Sequence, residues 1–184
     1  MHLSDEGIRQ AENLAEWLPS WIGSPMLLLV SPLERARETS QPLASKLGLE
    51  PVVEPRLVEC DFGDWTGMQL AKLYRKREWR LLMERAADFK FPGGEAIREV
   101  SERVLDLAAE LRRQHPGQSV LGFSHADPIR ILATEALGMH LDQLHRVNIS
   151  TASVTRFVIS ENGLNLETLN LSFPISSTFK ESEP

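Results

Sequence analysis

The sequence predicts an α/β fold: a three-layer α/β/α sandwich built on a mostly parallel sheet. Three observations carry this. Two apolar runs, Pro25-Met26-Leu27-Leu28-Leu29-Val30 and Ser119-Val120-Leu121-Gly122-Phe123-Ser124, pass straight into helical patterns. Helical stripes alternate with strand runs along the chain. Near the end, Ser153–Ile159 and Leu164–Leu169 flank Glu161-Asn162-Gly163, a hairpin signal that adds an antiparallel edge.

Taken in order, Ser4 caps a first helix, with Asp5 and Glu6 suiting its dipole. Ile8, Ala11, Ala15 and Leu18 form its stripe, and Pro19 closes it. After the strand at 25–30, Ser31 and Glu34 read as a capping box with Pro32 at the first helical position. That helix runs over 32–48, with Gly48 as its C-cap signal. Residues 51–58 are a further strand candidate. Residues 66–90 read as helix, with Leu70, Leu73, Leu81 and Leu82 among many charges. Pro92-Gly93-Gly94 breaks it, and a long helix follows from Glu95 to Gln114. Pro116-Gly117 ends that segment. The strand at 119–124 leads into a helix signalled by Pro128, Ile129, Ile131, Leu132 and Ala133. Residues 1–171 read as one domain, and the Ser-rich residues 172–184 as a disordered tail.

At 184 residues the chain is long enough for one sizeable core. Its 42% apolar and 25% charged content is that of a soluble globular protein. A net charge of −6 argues against non-specific nucleic-acid binding. The single Cys60 excludes an internal disulfide and any Cys-based zinc site, and fits a reducing compartment. No run approaches the ~20 apolar residues of a membrane helix. Met1-His2-Leu3-Ser4-Asp5-Glu6 is polar and acidic, unlike a signal peptide. The expectation is a cytoplasmic protein without membrane or nucleic-acid partners.

His125 is the first candidate functional residue. It falls at the carboxyl end of one strand and the amino end of the next helix, the crevice where open α/β sheets bind ligands. Free N–H groups and the helix dipole favour an anion there, which brings in the backbone of Ala126. A plainer reading makes His125 a helix-capping turn residue. Arg35 occupies the equivalent place after the first apolar strand, and its fork matches phosphate bidentately. Taken alone, it reads as a solvated surface charge.

Together these segments resemble the histidine phosphatase superfamily, the phosphoglycerate mutase-like proteins. The matching stretches are Leu3–Ala11, Ser31–Thr39, Leu57–Gly67, Pro92–Glu95 and Gly122–Arg130, in order, over roughly residues 3 to 160. The resemblance implies phosphoryl transfer through a phosphohistidine, with no metal or cofactor. It casts Arg35, His125 and Ala126 as the phosphate site and His125 with Glu59 as the catalytic pair. Glu59 would be the general acid, since a leaving alkoxide needs a proton. Asp61 and Asp64 compete for that role on the residues alone. Ala126 departs from the glycine usual after the second histidine, which bears on the loop geometry there.

One feature the resemblance implies is absent from the sequence. The family's Arg-His-Gly tripeptide, whose histidine is the nucleophile, does not occur among the 184 residues. His2 has no strand before it, and His140 and His145 read as surface residues. The expectation is an N-terminally incomplete domain whose 184 residues lack an interior strand of the sheet and are inactive by themselves. The absence leaves two main functional readings and a weaker third. The first is a phosphatase of a small phosphorylated substrate, and the second a non-catalytic phosphate-binding or scaffold protein. A phosphoglycerate mutase is the third, disfavoured by the short insertion before the late motifs. Residues 66–91 carry seven positive and three negative side chains inside a negative chain. In this family that insertion covers the pocket, where basic charge would steer an anionic substrate. Alternatively it is a solvated amphipathic helix. Open sheet edges also make a homo-oligomer possible.

Overall fold

The computed structural model describes residues 2–23 and 25–173. Helix α1 (Asp5–Ile22) starts where expected, with the Ser4 side chain accepting from the Gly7 N–H. It runs on past Pro19 for another turn, because a proline near a C-terminus removes one bond without stopping the chain. Strand β1 (Leu27–Val30) leads to α2 (Glu34–Leu47). Gly48 caps α2 in the left-handed region at φ 65°, as its sequence signal indicated.

Helix α2 has no Ser31–Glu34 capping box. Its N-cap is Leu33, in an extended conformation, and Ser31 points inward instead. The expected strand at 51–58 shrinks to β2 (Val52–Val53), after which Pro55–Leu57 forms a 3-10 turn. The expected helix over 66–90 is divided into α3 (Leu70–Leu73), α4 (Arg77–Glu84) and a 3-10 turn at Ala86–Asp88. Helix α5 (Ile97–Gln114), strand β3 (Val120–Phe123) and helix α6 (Ala126–Ala136) follow. The hairpin of β4 (Val154–Ser160) and β5 (Gly163–Leu171) closes the described chain.

The parallel sheet has the order β2-β1-β3, with Leu28 opposite Leu121 and Val30 opposite Phe123. Alternation along β1 makes the three layers. Leu28 and Val30 pack with Leu14, Leu18 and Leu43 of α1 and α2 on one face. Leu29 packs with Leu57 and Leu107 on the other, against α5. A further core centred on Trp65, Phe89 and Phe91 joins α3 and α4 to α5 and α6. Strands β4 and β5 pair only with each other among the described residues. The ordered chain also passes residue 171. The Phe173 ring meets Trp21 edge-on at 6.5 Å, and its carbonyl accepts from Asn13 at 3.2 Å. Of the expected tail, residues 174–184 lie outside the described residues. No helix among the described residues is long and apolar enough to cross a membrane.

Candidate active site

The carboxyl ends of β1 and β3 form the site. Ser31 follows β1, is fully buried, and donates its N–H to the Phe123 carbonyl at 2.9 Å. His125 follows β3, is 8% exposed, and is the N-cap of α6. His125 Nε2 and Ser31 Oγ share a 2.7 Å hydrogen bond, so the two strand ends are tied through their side chains. Burial, then the charges of Arg35 and Arg103, push His125 down to about 4. The ring is thus neutral near pH 7 and acts as a hydrogen-bonding group. Ala126 opens α6, where the first backbone N–H groups have no intrahelical partner. Arg35 lies in the first turn of α2, half-buried, and its charge reaches both His125 and Glu59. Its guanidinium has no hydrogen bond or ion pair among the described residues.

Glu59 reaches the same crevice from the loop after β2. Its Oε1 accepts from the Cys60 N–H at 3.0 Å and from the Asp127 N–H at 3.3 Å. Burial first, and the neighbouring Asp127 carboxylate second, push Glu59 up to about 7. Asp61 and Asp64 are both exposed. Asp61 Oδ1 accepts from the Gly63 N–H in a local turn. The structure thus brings Arg35, Glu59, His125 and Ala126 together and leaves the two competing acids outside.

A second layer holds these groups. Arg103 of α5 donates to the carbonyls of Arg56 at 2.6 Å and Glu59 at 3.3 Å, and pairs with Glu95 at 3.0 Å. Glu95 in turn accepts from the Asp61 N–H at 3.0 Å. Ser124 Oγ donates to the Leu57 carbonyl at 2.8 Å, fixing the loop to the end of β3. Sequence reading missed Ser31, Arg103 and Asp127 as parts of the site. Ser31 looked like a cap. Arg103 carried no signal within its own helix, since its partners lie up to 47 residues away.

The remaining histidines lie elsewhere. His2 pairs with Glu38 and Glu34, and His140 is exposed beside Asp142. His145 is half-buried and its ring hydrogen-bonds the Leu82 carbonyl at 2.9 Å, so it pins α4 and is not a plain surface residue. The 66–91 segment presents a groove lined by Tyr74, Arg75, Lys76, Arg77, Arg80 and Met83, among others.

The carboxyl ends of this parallel sheet gather a histidine, an arginine without a hydrogen bond or ion pair among the described residues, a helix N-terminus and a buried carboxyl, a combination chemically suited to an oxyanion. The chain belongs to the histidine phosphatase superfamily (branch 1), which matches residues 1–172. Phosphoserine phosphatase 1 of Hydrogenobacter thermophilus is 29% identical over 182 residues, 98% of this chain and 85% of that protein. The Mycobacterium tuberculosis bifunctional protein Rv2228c is 33% identical over 155 residues, 83% of this chain, which spans 42% of that longer protein. Among solved structures, the mycobacterial glucosyl-3-phosphoglycerate phosphatase Rv2419c with inorganic phosphate superposes with a TM-score of 0.80 at 28% identity. That match covers 93% of this chain and 88% of the other. The fold is accordingly that of the phosphoglycerate mutase-like phosphatases.

Proposed function

We propose that this chain forms the body of a metal-independent phosphomonoesterase acting on a small phosphorylated substrate. The observation that carries the reading is the convergence of Arg35, His125 and the start of α6 on Glu59, a carboxyl pushed up to about 7. Arg35, His125 and the Ala126 N–H hold the phosphoryl oxygens, where charge spreads in the transition state. A histidine nitrogen attacks phosphorus and the ester P–O bond breaks. Glu59 gives its proton to the leaving oxygen. Water then cleaves the phosphohistidine, and the Glu59 carboxylate takes its proton. The names of two similar proteins, a phosphoserine and a glucosyl-3-phosphoglycerate phosphatase, support small phosphorylated molecules as the substrate class.

His125 is committed to Ser31 and held neutral, and no Arg-His-Gly occurs in the 184 residues. On this reading an attacking histidine would be supplied by a strand along the edge of β3 that no described strand occupies. A parallel strand there would end beside His125. The same absence favours a second reading for the 184 residues alone, a phosphate-binding protein without turnover. One experiment tests both. The chain is titrated with vanadate by NMR and assayed on an aryl phosphate, alone and with an N-terminal strand ending in Arg-His-Gly. Expected are shifts at Arg35 and Ser124–Asp127 in both forms, and turnover only in the extended one. In that form Glu59→Gln should slow turnover by about 10²–10⁴-fold. Turnover by the chain alone that His125→Ala abolishes would reassign the nucleophile. An extended form that never turns over would leave the binding reading.

A further inference from the structure

The reaction above gives Asp127 no part, yet its placement is unusual. It is the second residue of α6, and it is 8% exposed. An acid that merely complements a helix dipole gains as much at the surface and avoids the cost of burial. Asp127 instead faces the loop that carries Glu59, and its N–H donates to Glu59 Oε1 at 3.3 Å. Its Oδ1 takes Arg130 Nη1 at 2.9 Å, one turn further along α6. Arg130 Nε is anchored in turn on the Val147 carbonyl at 3.0 Å. The arrangement places a braced negative charge beside a second buried carboxyl. Like charges brought together in this way favour the state in which one of them carries a proton.

We propose that Asp127, braced by Arg130, is a positioning residue for Glu59: its amide aims the Glu59 carboxyl along the start of α6, and its charge keeps the proton on Glu59. The catalytic meaning of this rests on Glu59 being the acid, whereas the electrostatic effect does not. The groups that bear on the Glu59 carboxyl are the Cys60 N–H, the N–H and carboxylate of Asp127 and the Arg35 charge, while Arg103 of α5 holds the Glu59 carbonyl and His125 lies in the same crevice. The Cys60 and Asp127 N–H groups, and then the Arg35 charge, work against protonation, so burial and the Asp127 carboxylate must outweigh them. Cys60, next along the loop, has its thiol pushed well up by burial and then by Asp127, a second sign that this carboxylate charges the pocket.

The test uses the 184-residue chain with ¹³C-labelled Glu and Asp carboxyls, titrated by NMR, with Glu59→Gln giving the assignment. In the parent chain Glu59 should titrate near 7. Asp127→Asn keeps the amide bridge and removes the charge. It should lower the Glu59 midpoint by roughly one unit, about tenfold in its ionisation constant. The midpoint should stay above the ordinary carboxyl value, because burial remains. A folded Asp127→Asn chain with an unmoved Glu59 midpoint overturns the proposal. A measurement on the parent chain guards against an unfolded variant: the Asp127 carboxyl signal should show an inflection at the Glu59 midpoint, and a flat trace there also overturns it. The role of Glu59 as acid is judged separately, by the turnover of Glu59→Gln in the extended form. A normal Glu59 midpoint shift with unchanged turnover would sink only that reading.

Discussion

Glu59 and His125 are buried against the same crevice, and their protons move in opposite senses on folding. Glu59 is raised from 4.5 to about 7, so the native chain keeps a proton that the unfolded chain releases. Its contribution to stability is fully present below about 4.5 and is lost as pH rises through about 7. His125 is lowered from 6.5 to about 4, so the unfolded chain takes a proton that the native ring refuses. Its contribution is present above about 6.5 and is lost as pH falls toward 4. The two gradients oppose each other over one window, each of order 2 kcal/mol once discounted for solvent screening. Relative to the parent chain, Glu59→Gln should therefore lose stability more steeply on acidification from about pH 6.5 to 4.5. His125→Asn should lose it more steeply as pH rises across the same range. Urea midpoints of the three proteins at several pH values check this, and three parallel curves would contradict it. The same two shifts explain why the residue types alone did not settle the roles. A histidine beside an arginine reads as a cation until burial is known, and three acids within six residues look alike until two of them prove exposed.

The loop carrying Glu59 owes its course to Pro92–Glu95, which lies directly against it. Asp64 N–H donates to the Pro92 carbonyl at 2.8 Å, and Glu95 N–H to the Asp61 carbonyl at 2.9 Å. Only glycine allows this approach. A Cβ on Gly94 would lie 2.2 Å from the Asp61 carbonyl oxygen and 2.7 Å from the Gly63 nitrogen. Gly94→Ala should thus push the two backbones apart, with an expected cost of about 1–3 kcal/mol. It should also weaken the Glu95–Arg103 hold on the Glu59 loop. Thermal or urea unfolding measures the first effect, and loss of the Asp61 amide's protection from exchange measures the second. A variant as stable as the parent would show that the loop has room. Sequence reading identified the Pro-Gly-Gly turn as a helix breaker but could not show this contact, which joins residues about thirty apart. Strands and helices with strong periodicity, such as β1, β3 and α5, were found almost to their ends. The 66–90 segment was misread as one helix for a reason of geometry. Leu73 and Leu82 both enter the Trp65 core, yet residues nine apart lie on opposite faces of a continuous helix. The break between α3 and α4 brings both leucines to one side, and it leaves Leu70 and Leu81 exposed. Likewise Pro51 and Pro55 bracket β2 and hold it to two residues.

At the scale of the molecule, the sheet is discontinuous. Strand β3 pairs with β1 on one side and with no strand on the other among the described residues, and the β4–β5 hairpin pairs only with itself. Val154 of β4 nevertheless packs in the same cluster as Leu121 and Phe123 of β3, so the hairpin and the parallel sheet share one core. Gly122, in the middle of β3, is exposed where an interior strand would be covered. The β3 edge that no described strand occupies offers ladder groups that a further strand could pair, and each such group buried unpaired would cost about 1–3 kcal/mol. A few such groups are comparable with the ~5–15 kcal/mol of a whole domain. We therefore expect that supplying a strand at this edge, as an N-terminal extension or as a peptide in trans, raises the melting temperature by about 4 °C or more. Hydrogen exchange should at the same time slow at the β3 amides. Without it, the open edges should pair with those of another copy, giving concentration-dependent dimers or aggregates in sedimentation. The two outcomes compete for one surface, so the added strand should also dissolve the self-association. A monomer whose melting temperature and β3 exchange are indifferent to the strand would mean that the fold closes across β3 without it. The attacking histidine would then have to reach the His125 crevice from somewhere other than that edge.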